Sequence, residues 1–316
     1  MKKQTKVRVL AFLLVLGISV SGFAISLEDL QEGVNDFSEH LALSLPLNSS
    51  LGLNWADAYI GKIFPSLPPH FGIGGSFGIT TMDLPTMKTL MNYFGYSFPF
   101  DIKRMFFPAY AAEARIGGFF LPFDIGAKFG YLQNVGMWGS SLDMNYLLIG
   151  ADFRYALVDL KLIRFSLGVG VNYLKGGIQA RGSTQTFNHD HGSIEVADPK
   201  IDLHWQTTSL DFRAQLSFSL VLLTPYLGIA GSCGWSSAGY SVGAAITPTI
   251  GGFEDIEESI DISDTGISST VKTNAFSFRA FGGLSLNFIV FKVDFTAIYS
   301  FRDQNFGSSI GFRLQL

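Results

Sequence analysis

The sequence predicts an all-β protein, a transmembrane antiparallel β-barrel preceded by a partly helical segment. Three observations predict it. First, residues 209–220 read SLDFRAQLSFSL and separate by parity: Leu210, Phe212, Ala214, Leu216, Phe218 and Leu220 are apolar, and Ser209, Asp211, Arg213, Gln215, Ser217 and Ser219 are polar. A strand sends alternate side chains to opposite faces, whereas a helix would spread both sets around its cylinder. Second, 47% of the 316 residues are hydrophobic and only 15% are charged, with 30 Phe and 35 Gly. Charge is well below the usual quarter or so, which suits a surface facing lipid. Third, no uninterrupted run of about 18 apolar residues follows the N-terminal leader; Phe218 to Ala230 comes nearest and is broken by Thr224, Pro225 and Gly228. The other backbone that satisfies its hydrogen bonds in lipid is a closed barrel, apolar outside and polar within.

Taken in order, the chain opens with a basic head, Lys2, Lys3, Lys6 and Arg8, then an apolar stretch from Val9 to Val20 and small residues in Gly22-Phe23-Ala24. Residues 1–24 read as a cleaved secretory signal peptide, and no Cys follows to make a lipoprotein. Residues 25–69 form a pre-barrel segment or hatch. It contains a short amphipathic helical stretch, Leu27 to Glu32, with Ser26 as N-cap, and ends in a Pro-rich run.

The barrel is expected over residues 70–316. Ten strands are visible: Phe71 to Thr80, Tyr110 to Phe120, Asp124 to Tyr131, Leu147 to Tyr155, Phe165 to Tyr173, residues 209–220, Tyr226 to Trp235, Phe276 to Asn287, Val293 to Phe301 and Ser309 to Leu316. Their length suits tilted strands of about 9–11 residues crossing a bilayer. Short links alternate with long ones, as in outer-membrane barrels; a soluble β-sandwich has no such order. The long links are Met82 to Pro108, Gln133 to Asp143, Arg181 to Lys200 and Val242 to Thr273. With the N-terminus in the periplasm they lie outside, and an even strand count leaves both termini inside.

Inward parity selects Glu113, Arg115, Asp152, Arg154, Asp211, Arg213, Arg279 and Arg313 as lumen-lining or ligand-binding candidates. The first six form acid-x-Arg pairs that bridge along a strand or across to a neighbour. The charges could form a ring that sets pore selectivity, pair with the plug or bind a fatty-acid carboxylate through a spare Arg, and Arg279 and Arg313, which lack an acid at that spacing, are the better functional candidates. The opposing reading is a polar network that fills the lumen and satisfies itself. The first outer loop is unusually apolar, and Met91, Phe94, Phe98, Phe100, Met105 and Phe106 are its candidate ligand contacts, unless they are buried over the barrel mouth.

Other motifs carry less. Gly74 to Gly78 and Gly239 to Gly243 match G-x-S-x-G, but both lie in strand patterns rather than at a strand-to-helix elbow. His189 and His191, at i and i+2, could ligate a metal, but that spacing alone is weak and an exposed loop with His is the default; the acidic run Glu254 to Asp264 lacks EF-hand spacing. No cofactor, metal or catalytic role is expected. A net charge of −4 offers no basic footprint for nucleic acid, and the lone Cys233 excludes an intrachain disulfide.

The stretch NWADAYIGKIFPSLPPHFGIGGSFG, residues 54–78, is similar to spirochaete proteins grouped with the long-chain fatty-acid outer-membrane transporter (FadL-like) family, and the layout of the mature chain resembles that family. The resemblance implies a hatch inside a fourteen-stranded barrel, with Asn54, Trp55, Asp57 and Tyr59 as hatch candidates. It implies passive uptake of small hydrophobic or amphiphilic molecules such as long-chain fatty acids. Partners would be outer-membrane lipid, a hydrophobic ligand and, during biogenesis, the barrel-assembly machinery. The chain departs from the family in lacking the Asn-Pro-Ala hatch motif and in showing ten strands. Ten strands leave little room beside a plug, so either four more hide in the loops or the plug is not fully inside. The alternative function is a structural or adhesin-like barrel whose outer loops contact host or environment.

Overall fold

The computed structural model describes residues 27–64, 66, 69–83, 104–137, 142–181, 185–189, 192–250, 260–261 and 267–316. The signal peptide and Ser26, residues 91–100 of the first loop, Asp190 and His191, and most of the acidic run 254–264 lie outside the described residues. A helix, α1 (Leu27–Ser49), is followed by an irregular stretch and then by β1 (Phe71–Asp83), β2 (Arg104–Gly117), β3 (Phe123–Met137), β4 (Leu142–Asp159), β5 (Ile163–Arg181), β6 (Gln185–His189), β7 (Gly192–Phe218), β8 (Leu223–Ile250), β9 (Ile260–Asp261), β10 (Ile267–Phe288), β11 (Phe291–Ser300) and β12 (Phe306–Gln315).

Ten of these strands form one antiparallel ring in the order β1-β2-β3-β4-β5-β7-β8-β10-β11-β12, and β12 closes it against β1. The short β6 and β9 pair only with the outer extensions of β7 and β8. Each of the ten strands expected from alternation falls on a wall strand.

The wall is inside-out relative to a soluble sheet. On β7, Ser209, Asp211, Arg213, Gln215 and Ser217 are buried, while Phe212 between them is 54% exposed. Around the ring Ile73, Phe129, Ile149, Ile229, Phe276, Phe295 and Phe312 all face outward and exposed. Apolar surface left in water forgoes about 25 cal/mol per Å², so this belt is stable only where hydrocarbon covers it. Apolar belt, charged interior and closed ring together are the architecture of outer-membrane barrels.

Short turns at residues 118–122, 160–162, 219–222 and 289–290 mark one end of the barrel, where Phe71 and Gln315 also lie. The other end is uneven. At about 3.3 Å per residue, the 28 residues of β8 span roughly 90 Å, whereas β11 and β12 have 10 residues each. Much of the sequence expected as loop in 181–200 and 242–273 is therefore strand: β7, β8 and β10 continue their ladders beyond the belt. The β7–β8 register slips between Ala197 and Lys200, beside Pro199, which has no N–H to donate to the ladder.

Helix α1 runs to Ser49, well past the Glu32 suggested by its amphipathic start. Its buried Phe37, Leu41, Ala42 and Leu45 recur at helical spacing, and Pro46, a breaker by sequence, sits within it near its end. From Ser50 to Ile60 the chain has no regular structure, yet nearly every residue is buried. This whole stretch is inside the ring. The expectation that ten strands would force the segment out, or conceal four more, is corrected. Room comes from inward-facing glycines: a Cβ on Gly72 would lie 2.8 Å from the Trp55 ring, and one on Gly234 would overlap Pro46.

Candidate functional site

The lumen has two layers. The lower one, toward the short turns, is charged. Asp124 of β3 and Arg154 of β4 stand opposite each other in register, so Arg154 donates to both Asp124 oxygens from Nε and Nη2, each at 2.8 Å. Arg115 of β2 pairs with the same Asp124 and reaches Asp152 on β4 at 2.8 Å. Arg213 stands 3.4 Å from Asp152, and Arg279 3.3 Å from Asp211, which also accepts from Asn172. The pairs thus form across strands rather than between an acid and the Arg two residues along.

Arg279 and Arg313, expected to lack an acid, both have one. Arg279 holds Asp211, and Arg313 holds Asp294 of β11 at 3.1 Å and Asp57 of the plug at 2.9 Å. Their partners lie on other strands or on the plug, where same-strand spacing does not look. Neither remains as a spare cation.

The lower layer also completes the plug's backbone. An irregular segment makes few internal hydrogen bonds, and each buried N–H or C=O left unpaired is costly. Lys128 Nζ donates to the carbonyls of Ser49 and Leu51, both at 2.7 Å, capping the C-terminal end of α1. Gln215 donates to the Trp55 and Ala56 carbonyls, and Arg154 to that of Asp57. The N–H of Ala58 finds Ser217, and that of Ile60 finds Asp124.

Of the hatch candidates, Trp55 is the most engaged. Its indole N–H donates to Glu113 at 2.7 Å, and its ring lies between the Arg313 and Arg115 guanidiniums, at 4.6 and 5.5 Å. Glu113 also accepts from Ser76, the serine of the first G-x-S-x-G match, which is a strand residue turned into the lumen. Asp57 takes Lys292 at 2.7 Å, Arg313 at 2.9 Å and Arg164 at 3.6 Å. Asn54 donates weakly to Ser50, and Tyr59 is buried with no partner for its hydroxyl. A void of about 10 Å³ beside Trp55, Glu113 and Arg313 has room for one water at most.

The upper layer is apolar, which alternation did not reveal. Met82, Phe107, Met144, Tyr146, Leu148, Leu174, Trp205 and Ala238 point inward and pack on Phe37, Leu41 and Leu45 of α1. The signal was present in Tyr146-Leu147-Leu148-Ile149, apolar on both faces. Barrel interiors are normally polar; this one is a greasy chamber filled by a helix.

A seam in the wall stands at the chamber's height. The β2–β3 ladder runs from Gly117–Asp124 only to Ala112–Phe129. Above it β2 stays paired with β1 up to Asp83 and β3 with β4 up to Met137, but the two described edges do not pair with each other. Tyr146 lines this seam from inside, stacked on Tyr110 of β2 at 5.2 Å and donating to its carbonyl at 3.4 Å, and that carbonyl still lies against Gly130 of β3. Leu132 packs behind it.

Met105 and Phe106, expected in the outer loop, belong to β2, which begins at Arg104. Phe106 faces outward, 63% exposed, while its neighbour Phe107 turns inward onto Trp205. The hydrophobic run hid the start of the strand. Residues the sequence reading passed over are Asp124, Lys128, Arg164, Gln215, Lys292 and Asp294, each placed by its strand's inward parity or by the plug. Among the described residues no group of His, Cys, Asp and Glu is arranged to hold a metal.

No family model matches the chain, and no curated protein matches it. Among solved structures, the outer membrane protease OmpT from Escherichia coli is similar at a TM-score of 0.42 and 12% identity, over 79% of this chain and 97% of that one. The translocator domain of the autotransporter NalP from Neisseria meningitidis is similar at 0.36 and 10%, over 91% and 98%. A deletion mutant of the monoaromatic hydrocarbon channel TodX is similar at 0.25 and 8%, over 78% and 89%.

Proposed function

We propose that this chain is an outer-membrane barrel, exported by a cleaved signal peptide, that passively takes up small hydrophobic or amphiphilic molecules such as long-chain fatty acids, as FadL-like proteins do. The observation that carries the reading is the apolar chamber. A barrel needs apolar residues outside, against lipid, but gains nothing for membrane insertion from Met144, Leu148, Leu174 and Trp205 inside. Such a lining suits a greasy occupant, and α1 fills that place. The β2–β3 seam, where the wall beside the chamber lacks ladder pairing, is the place where a side exit toward lipid would open, with Tyr146 across it. The apolar first loop, Met91 to Phe100, would collect ligand outside. No catalytic step belongs to this reading.

The second reading, a structural or adhesive barrel, is favoured by one observation: the charged layer is packed and satisfied around the plug, with a void of only about 10 Å³. Labelled oleate separates the two. Cells or liposomes carrying the protein should accumulate it faster than those carrying an inert barrel, and deleting residues 25–69 should change the rate. Uptake no better than the inert control removes the transport reading and leaves the structural one.

A further inference from the structure

The direction of the plug inside the barrel has a topological consequence. Residues 62–64 are clipped to the short-turn rim: Ile63 N–H donates to Gly118, Phe120 N–H to Phe64, His70 N–H to Lys62 and Gly117 N–H to His70. From that rim the chain, followed backward, climbs the lumen. Asp57 sits at the level of Lys292, next to the lower turn, and Trp55 at the level of Glu113. Asn48 bonds Thr80 and the carbonyl of Phe107, near the upper ends of β1 and β2. Asn35 accepts from Ser269, ten residues beyond Arg279 toward the far end of β10. Helix α1 then continues toward Leu27; at about 1.5 Å per residue it is roughly 34 Å long.

The first turns of α1 therefore belong to the end with the long links, opposite the barrel's own two ends. In outer-membrane barrels short turns face the periplasm and long connections face outward. We infer that the pre-barrel segment crosses the membrane through the lumen and presents the start of α1 at the cell surface. The start of α1 is then outside and the C-terminus inside, which revises the expectation that the segment leads back to the periplasm. The plug joins the wall strands in sequence at its periplasmic end, just after Gly61, whose φ of +112° makes the bend before the rim. The start of α1 lies on the side from which an external ligand arrives. This inference holds whether or not the barrel transports anything.

The test uses full-length protein in intact cells. An epitope tag inserted directly before Leu27 should bind antibody without permeabilisation. In a Cys233→Ser background, Glu39→Cys should react with a membrane-impermeant maleimide added outside, because Glu39 is exposed. Lys161→Cys, in a short turn, should react only once the outer membrane is opened. A tag and a Glu39→Cys that stay hidden until permeabilisation, alongside the same behaviour at Lys161→Cys, would overturn the inference. Oleate uptake plays no part in the readout, so failure here and failure of the transport reading are separable.

Discussion

Replacing Asp57 with alanine removes the one plug carboxylate that three wall cations share. Lys292 Nζ loses its contact at 2.7 Å, Arg313 its contact at 2.9 Å and Arg164 its longer one at 3.6 Å. Arg313 keeps Asp294, and Arg164 keeps Asp159. Lys292 keeps no described ion pair. Breaking a buried pair from one side costs about 3–5 kcal/mol, chiefly through the charge left behind. The lower figure applies, since the Lys292 side chain retains 13% exposure. About 3 kcal/mol, at 1.4 kcal/mol per tenfold, weakens plug docking by roughly a hundredfold. Single-channel recording in planar bilayers reads this directly. The wild-type lumen is closed, and Asp57→Ala should show frequent open events. Adding Lys292→Met should restore closure in part, because the unpaired charge is gone. If Asp57→Ala is as silent as wild type and its plug is equally protected from protease, the ion cluster does not hold the plug, and the energetic argument fails.

Three further outcomes follow from the same geometry. Trp55→Phe deletes the N–H that Glu113 accepts and should destabilise the docked plug by about 1.5–3 kcal/mol, the usual worth of a hydrogen bond to a charged group, read by chemical denaturation in detergent. Tyr59→Phe removes a buried hydroxyl that has no partner and should be neutral or mildly stabilising in the same assay, although Tyr59 is as deeply buried. Gly234→Leu drives a side chain into Pro46 and should displace α1 while leaving the barrel closed, seen as new conductance with an unchanged heat-modified shift on a gel.

Much of this molecule was legible in its sequence, and the illegible parts share a cause. Period-2 alternation located all ten wall strands and their facing, because lipid and lumen demand opposite chemistry from neighbouring residues. It failed where that contrast vanishes. Along 146–149 both faces are apolar, since α1 makes the upper lumen greasy. The greater part of helix α1 escaped for another reason. Residues 33–49 pass as an ordinary Leu-rich stretch with a proline, and only the surrounding wall keeps them helical.

Ionic partnerships were the least accessible part. Parity showed that Arg279 and Arg313 face inward, but not which carboxylates meet them. That depends on the stagger between strands and on a plug whose depth in the barrel no local pattern encodes. The sequence by itself determined the inside-out barrel, because each residue's own polarity decides whether it faces hydrocarbon. The tertiary structure alone decided that the plug fits within ten strands, that its helix leads outward and that the lumen arginines Arg115, Arg154, Arg213, Arg279 and Arg313 are all engaged. Those outcomes rest on contacts between different strands and between strand and plug, up to 256 positions apart in the chain, set by ring closure rather than by neighbours in the chain.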